Sequence, residues 1–342
     1  MDVPKRTSPA RRRPRPVLIG TLAALGLVWT MAGQAQAAVH EFPVLSRGSH
    51  GTDVRMLQYL LRGRGSSVVA NGAYGEATVN AVGTFQVAFG LPRSGIATVS
   101  TWRQLIVVLD RGDRGSAVKA LQLGLNEKHA AGIVVTGVFD TATRRAVWVF
   151  QRHMRLAADG IAGPDTWRLL VWHFEQPKFA LASICSYSNP PNYDRAHWGT
   201  AETVAGLERA ASRVYSLGLG PLAVGDISRE HGGDIDGHTY HEEGFDADIR
   251  PMRDARNQCS SGVTWYRWSG GHKVCCNPAY DRTATRVLIR ALQAASPGHL
   301  HYIWFNDPKL IAEGLTRYHS GHDDHLHASF CEVSYTVARY EC

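Results

Sequence analysis

The sequence predicts a multi-domain protein in which two small all-α domains of three helices each precede an α+β domain with a small, mainly antiparallel sheet. Three observations carry this expectation. Residues 45–172 contain an internal repeat. Beyond residue 217 the apolar period switches from helical spacing to the alternation of half-buried strands. All six cysteines, at 185, 259, 275, 276, 331 and 342, fall in the last part of the chain.

The repeat aligns Leu45-Ser-Arg-Gly48 with Leu109-Asp-Arg-Gly112, and Leu57-Gln58 with Leu121-Gln122. After a one-residue slip it aligns Phe85-Gln86 with Phe150-Gln151 and Trp102 with Trp167. Two copies of one small domain fit this long period better than a solenoid does. In the first copy Val54, Leu57, Leu60 and Leu61 stand at helical spacing, and a second helix carries Val79, Val82 and Phe85. A third helix buries Trp102 and Leu105, with Ser100 or Thr101 expected as its cap. The copies are expected over 40–107 and 108–172. Residues 173–184 hold Pro177, lack an amphipathic period and read as a linker, leaving 185–342 as the last domain.

At the other end, Lys5, Arg6, Arg11, Arg12, Arg13 and Arg15 precede an apolar run from Val17 to Met31 and the small-residue stretch Ala35-Gln-Ala37. That order is a secretory signal peptide over 1–37, too short in its apolar part for a membrane span. Its removal takes six basic residues and Asp2 from a net charge of +7 and leaves about +2, so the basic precursor is no argument for nucleic acid. No later segment is apolar enough to cross a bilayer, nothing implies an oligomer, and the location expected is secreted, periplasmic or cell-wall associated. In an exported chain an even number of cysteines argues for disulfides, with vicinal Cys275 and Cys276 expected to find other partners because their mutual bond is strained.

Within the last domain, helices are expected over Thr200–Leu217 and Asp281–Ala295, and strands over Pro221–Ser228 and Phe245–Arg250. The chemistry concentrates in two stretches, His238-Thr-Tyr-His241-Glu-Glu-Gly244-Phe-Asp246-Ala-Asp248 and His322-Asp-Asp-His325-Leu-His327, which hold five of the sixteen histidines. Imidazole with carboxylate is a natural ligand set for zinc. His241 and Asp248 reach one ion only if the chain turns between them, and Gly244 is the place for that turn. His325 and His327 share one strand face. Alternation also puts Asp246 beside Asp248, so local pattern leaves both open. Phe245 occupies the position where a zincin helix needs its second His. His299-Leu-His301 repeats the His-x-His tripeptide without a preceding acid pair and reads as the start of a buried strand. Trp265, Tyr266 and Trp268, in a Cys- and Gly-rich segment, form either a wall of a substrate groove or a crosslinked loop with no substrate contact.

With Gly225-Asp-Ile-Ser228 upstream, these motifs resemble the penicillin-insensitive murein endopeptidases of the lysostaphin-type and D-Ala-D-Ala carboxypeptidase superfamily over roughly residues 185–331. The repeats, with Gly72-Ala-Tyr74-Gly75-Glu-Ala-Thr78 and Phe-Gln in the first copy, resemble the peptidoglycan-binding domain family. The resemblance implies one Zn²⁺ per catalytic domain, with His241, Asp248 and His327 as ligands. It implies His325 as general base or oxyanion donor, and His238 and His322 as orienting groups. Peptidoglycan is the implied partner, and hydrolysis of its peptide crosslinks the implied activity. A D,D-carboxypeptidase on stem peptides, or a wall-binding module without catalysis, are the alternatives.

Overall fold

The computed structural model describes residues 42–187, 196–233, 235, 238–333 and 337–342. The expected signal peptide over 1–37 lies outside the described residues. Each copy of the repeat is a cluster of three helices. The first contains α1 (Thr52–Gly63), α2 (Glu76–Ala88) and α3 (Val99–Leu105), and the second α4 (Ser116–His129), α5 (Thr141–His153) and α6 (Pro164–Trp172). Trp102 and Trp167 are fully buried, and each indole N–H donates to a carbonyl that precedes its copy, Pro43 O at 2.8 Å and Val107 O at 2.7 Å.

The paired glutamines have a physical reason. Buried Gln58 donates to Thr78 Oγ1 at 2.9 Å and Ala73 O at 3.0 Å and accepts from Gly72 N at 2.9 Å. Gln122 repeats this pattern with Thr143 Oγ1, Val138 O and Gly137 N. Gln86 and Gln151 do the same one loop later, through Thr101 Oγ1 and Thr166 Oγ1. Each amide thus satisfies the polar backbone of a loop that would otherwise be buried without partners. Thr101 is therefore a core hydrogen-bond partner, and the cap position of α3 falls to Thr98 instead of Ser100 or Thr101.

The last domain is built on a five-stranded sheet in the order β1 (Ile184–Ser186), β2 (Leu222–Val224), β3 (Asp246–Ile249), β7 (Leu326–Phe330) and β6 (Leu300–Trp304). Only β1 and β2 run parallel; the remaining pairs are antiparallel. A separate hairpin joins β4 (Tyr266–Ser269) to β5 (His272–Cys275). Helix α7 (Ala201–Ser216) is capped by Thr200, whose side chain accepts from Thr203 N, and α8 (Arg282–Ala295) by Asp281, which accepts from Ala284 N. The short α9 (Pro308–Ala312) follows β6. Leu207 and Val214 of α7 and Leu288 and Leu292 of α8 join Phe245, Ala247, Ile249, Leu326, Ala328 and Phe330 in one apolar core. Burying each large member is worth about 1.5–3 kcal/mol. The residues that alternate with them, Asp246, Asp248 and His327, face the other side of the sheet.

Residues 173–184, read from sequence as a linker, bury His173, Phe174 and Glu175. Buried Lys128 of α4 reaches Asp53 Oδ1 of α1 at 2.7 Å, Val171 O at 2.6 Å and His173 O at 2.9 Å. The first repeat also meets the last domain directly. Glu332 accepts from Val44 N at 2.6 Å, and Glu202 of α7 accepts from His50 N. Residues 40–342 accordingly form one compact unit.

The cysteines pair as Cys185–Cys259, Cys275–Cys276 and Cys331–Cys342. The vicinal bond corrects the expectation that Cys275 and Cys276 find other partners. Their peptide bond is cis, and the two Cα atoms lie 3.0 Å apart.

Candidate metal centre

Register on two paired strands makes the site. Asp248 of β3 lies opposite His327 of β7, and His327 lies opposite Trp304 of β6. All three side chains therefore share the sheet face away from α7 and α8, and the Trp304 ring stacks on His327 at 4.8 Å. His241 enters from the preceding loop with a left-handed φ of 75°, and Gly244 takes φ 73° three residues later. A Cβ at Gly244 would sit 3.0 Å from the Phe174 ring, so both the backbone conformation and the space require glycine there.

Asp248 Oδ1 is the centre of the arrangement. His327 Nδ1 lies 3.2 Å from it, His241 Nε2 3.3 Å and His325 Nε2 3.8 Å. His238, His241 and Asp248 each place one donor atom within 4.8 Å of the others. His238 Nε2 turns aside to Asp226 Oδ2 at 3.3 Å, and His325 Nδ1 meets Asp324 Oδ1 at 2.9 Å. His322 packs at 4.7 Å from the ring of His325 and at 5.5 Å from that of His327, its Nδ1 facing Ser320 O at 2.9 Å. The six residues singled out in the sequence thus come together in space. His299 and His301 do not join them. They face the carbonyls of Cys331 and Arg339 instead.

The partners of the outer nitrogens decide what the inner ones can do. His241 Nδ1 faces Ile227 O at 3.1 Å, and a carbonyl only accepts, so the proton sits on Nδ1 and the Nε2 lone pair points at Asp248. His327 Nε2 faces Asp246 Oδ1 at 3.2 Å, leaving Nδ1 toward Asp248 in the same way. The inner nitrogens of two imidazoles and a carboxylate oxygen converge, a contact that a proton on an imidazole or a shared cation makes favourable. The donor set fits zinc. Burial opposes charge on His327, but hydrogen bonds to Asp246 and Asp248 outweigh it and raise its pKa to about 9. Burial likewise opposes charge on Asp248, and the surrounding imidazoles hold it well below the usual carboxylate range. Both shifts express the same demand for positive charge beside Asp248.

Sequence reasoning did not assign the supporting contacts around the centre. Asp246, open to it only as a rival to Asp248, holds His327 Nε2 and also accepts from His241 N at 3.2 Å and from the Tyr340 hydroxyl at 2.6 Å. Alternation along β3 was the signal for Asp246; Tyr340, close to the last residue, had none. Trp265 donates to Asp323 Oδ1 at 3.0 Å, and Lys273 reaches Asp323 Oδ2 at 2.6 Å, so the β4–β5 hairpin braces the loop that carries His322 and His325. Trp268 of this hairpin is exposed.

Comparison with known proteins agrees with this architecture. Residues 50–105 and 114–170 each match the family described as "Putative peptidoglycan binding domain", and residues 187–265 match "Penicillin-insensitive murein endopeptidase". A probable N-acetylmuramoyl-L-alanine amidase of Bacillus licheniformis is 29% identical over 164 residues, 40% of this chain and 46% of that protein. An uncharacterized protein of Kitasatospora aureofaciens is 37% identical over 106 residues, 28% of this chain and 90% of that one. A peptidoglycan-binding protein of Clostridioides difficile is 35% identical, covering 18% of this chain and 39% of its own, with a TM-score of 0.18. A fused Zn-dependent amidase/peptidase of Clostridium acetobutylicum is 23% identical over 27% of this chain and 43% of its own, at 0.19. The chain spans less than half the length of the amidase and of both solved structures. Two peptidoglycan-binding domains precede a stretch that matches the penicillin-insensitive murein endopeptidase family over residues 187–265.

Proposed function

We propose that this chain is an exported peptidoglycan hydrolase that cuts the peptide crosslinks of murein as a D,D-endopeptidase, with one zinc held by His241, Asp248 and His327. The observation that carries the reading is the convergence of ring nitrogens of His241 and His327 on Asp248 Oδ1, at 3.3 and 3.2 Å, in a domain that matches the murein endopeptidase family over residues 187–265. Three protein donors leave one position open, as in catalytic zinc sites. When bound, zinc would polarise the scissile carbonyl and make water a nucleophile near neutral pH.

The protein's own groups set the rest. Asp246 and the Ile227 carbonyl fix the ring planes and tautomers of His327 and His241, the role such partners have beside metal ligands. His325, oriented by Asp324, presents Nε2 toward the centre, where it can take a proton or donate to an oxyanion. His238, held by Asp226, and His322 flank the centre as orienting groups. The repeats would keep the enzyme on its insoluble substrate, at high local concentration.

Purified peptidoglycan should be digested and the fragments analysed by mass spectrometry. Dimeric muropeptides should give monomers with intact stem ends, insensitive to penicillin because no acyl-serine forms. Release of terminal D-alanine alone would favour a carboxypeptidase, and zinc binding without any release a wall-binding module.

A further inference from the structure

A second group of donors lies far from Asp248 in sequence and uses none of the residues discussed above as ligands. His129 is the last residue of α4, His153 the last of α5, and His173 directly follows α6, while Glu230 comes from the loop after β2. Each offers one donor atom, and the four atoms lie within 4.8 Å of one another. His153 Nε2 is 3.1 Å and His173 Nε2 3.6 Å from Glu230 Oε1.

His173 carries the argument. Its side chain is fully buried, and its Nδ1 lies 2.7 Å from Phe174 O. A carbonyl only accepts, so the proton is on Nδ1 and the lone pair of Nε2 is aimed into the cluster. That nitrogen is buried and has no hydrogen-bond partner among the described residues. Burying such an acceptor against a carboxylate oxygen is costly unless a cation is shared between them. Phe150 and Trp198 pack against the ring at 5.9 and 5.7 Å and hold its direction. Three helix C-termini meet here, and their partial negative charge favours a cation.

We propose that His129, His153, His173 and Glu230 form a second metal site, for zinc or a similar divalent transition ion. Three imidazoles and one carboxylate are a zinc-type set, and four protein donors close the coordination sphere, as in structural sites. Donors around a tetrahedral ion with bonds of about 2.0 Å stand roughly 3.3 Å apart. Half-exposed His153 and Glu230 have the freedom to close that distance. The ion would join the second repeat to the catalytic domain, since His129 and His153 belong to one and Glu230 to the other. This inference stands independently of the activity proposed above.

The test counts zinc by plasma mass spectrometry in the full chain after dialysis, for wild type, His241→Ala, His129→Ala/His153→Ala, and all three changes together. Expected contents are about two, one, one and zero equivalents. Zinc should also raise the melting temperature of the His241→Ala protein and fail to do so when the cluster is removed. Glu230→Gln, on a loop, provides a second variant should the double change impair folding, and its zinc should be held at least tenfold more weakly than at the intact cluster. The proposal is overturned if His241→Ala takes up no more zinc than the triple variant. It is equally overturned if the folded His129→Ala/His153→Ala or Glu230→Gln protein matches wild type in both zinc content and affinity. Loss at the His241 site alone would bear on catalysis and leave the cluster's count unchanged.

Discussion

Asp248 Oδ1 meets three imidazole nitrogens at different distances, and the difference separates two roles. His327 and His241, within 3.3 Å, sit where a shared ion would be held; His325, at 3.8 Å, sits one step outside. His327→Ala should therefore remove both the zinc at this site and the activity. His325→Ala should keep about one zinc at this site while turnover on crosslinked muropeptides falls by about 10²-fold or more. Parallel loss of metal and turnover in His325→Ala would sink that division. Asp246→Asn should weaken zinc binding about 10- to 100-fold, because the oxygen that holds the His327 ring loses its negative charge, with the affinity read by chelator competition. The candidate ligands were named from the sequence through the family resemblance, since spacing alone left Asp246 and Asp248 equivalent and offered His299-Leu-His301 as a second His-x-His. Asp246 was visible only as one of two equivalent acids. Tyr340 could not be read at all, because its contact depends on a chain end folding back over the sheet, and no local period encodes that.

Among the elements, the helices were read most closely, because caps and apolar spacing are local properties. The helix expected over 200–217 spans Ala201–Ser216, and that over 281–295 spans Arg282–Ala295. The strand expected over 221–228 is ordered as a ladder only at Leu222–Val224, since the residues after it bend toward His238 and His241. The glutamine pairs were seen as repeat markers, but their function as pins for buried loops needed three dimensions. Gln58→Leu should leave Gly72 N without its acceptor and cost about 1–3 kcal/mol. Gln122→Leu should cost about the same, and denaturant melts of the two variants provide the comparison. Disulfides belong to this scale too. Alkylation of the intact protein should label no thiols before reduction and six after it. Replacing Cys185 and Cys259 by Ser should cost about 2–5 kcal/mol, as the bond closes a loop with a sequence separation of 74.

For the whole molecule, the contact between the first repeat and the catalytic domain is set by buried acids. Burial pushes Glu202 and Glu332 up to about 8; Glu332 and Asp53 add to the rise at Glu202, and Arg209 opposes it. Their folded pKa values lie above the unfolded ones, so their contribution is present at low pH and lost as pH rises toward 8. His50 beside them is pushed down to about 4 by burial, which costs stability only as pH falls below about 6.5. Between pH 6.5 and 8 His50 no longer contributes, and these acids, together with Glu175 at about 7 and His327 with its folded pKa of about 9, should make the melting temperature fall by several degrees as pH rises. Glu202→Gln/Glu332→Gln keeps the oxygen acceptors and should flatten that slope in calorimetry. An unchanged slope would mean that these carboxyls are ionised throughout.

That same contact governs how the enzyme would travel over the wall. A catalytic domain on a loose leash samples every bond within a sphere around its anchor, with a frequency set by leash length. Here main-chain donors of the first repeat are clasped by Glu202 and Glu332, and the helices of both repeats are pinned through Lys128. Anchor and cutting edge then behave like the two legs of a locked pair of dividers. Each landing on murein would present one bond at a set stride from the gripped site, so digestion should leave fragments of recurring size instead of a random ladder.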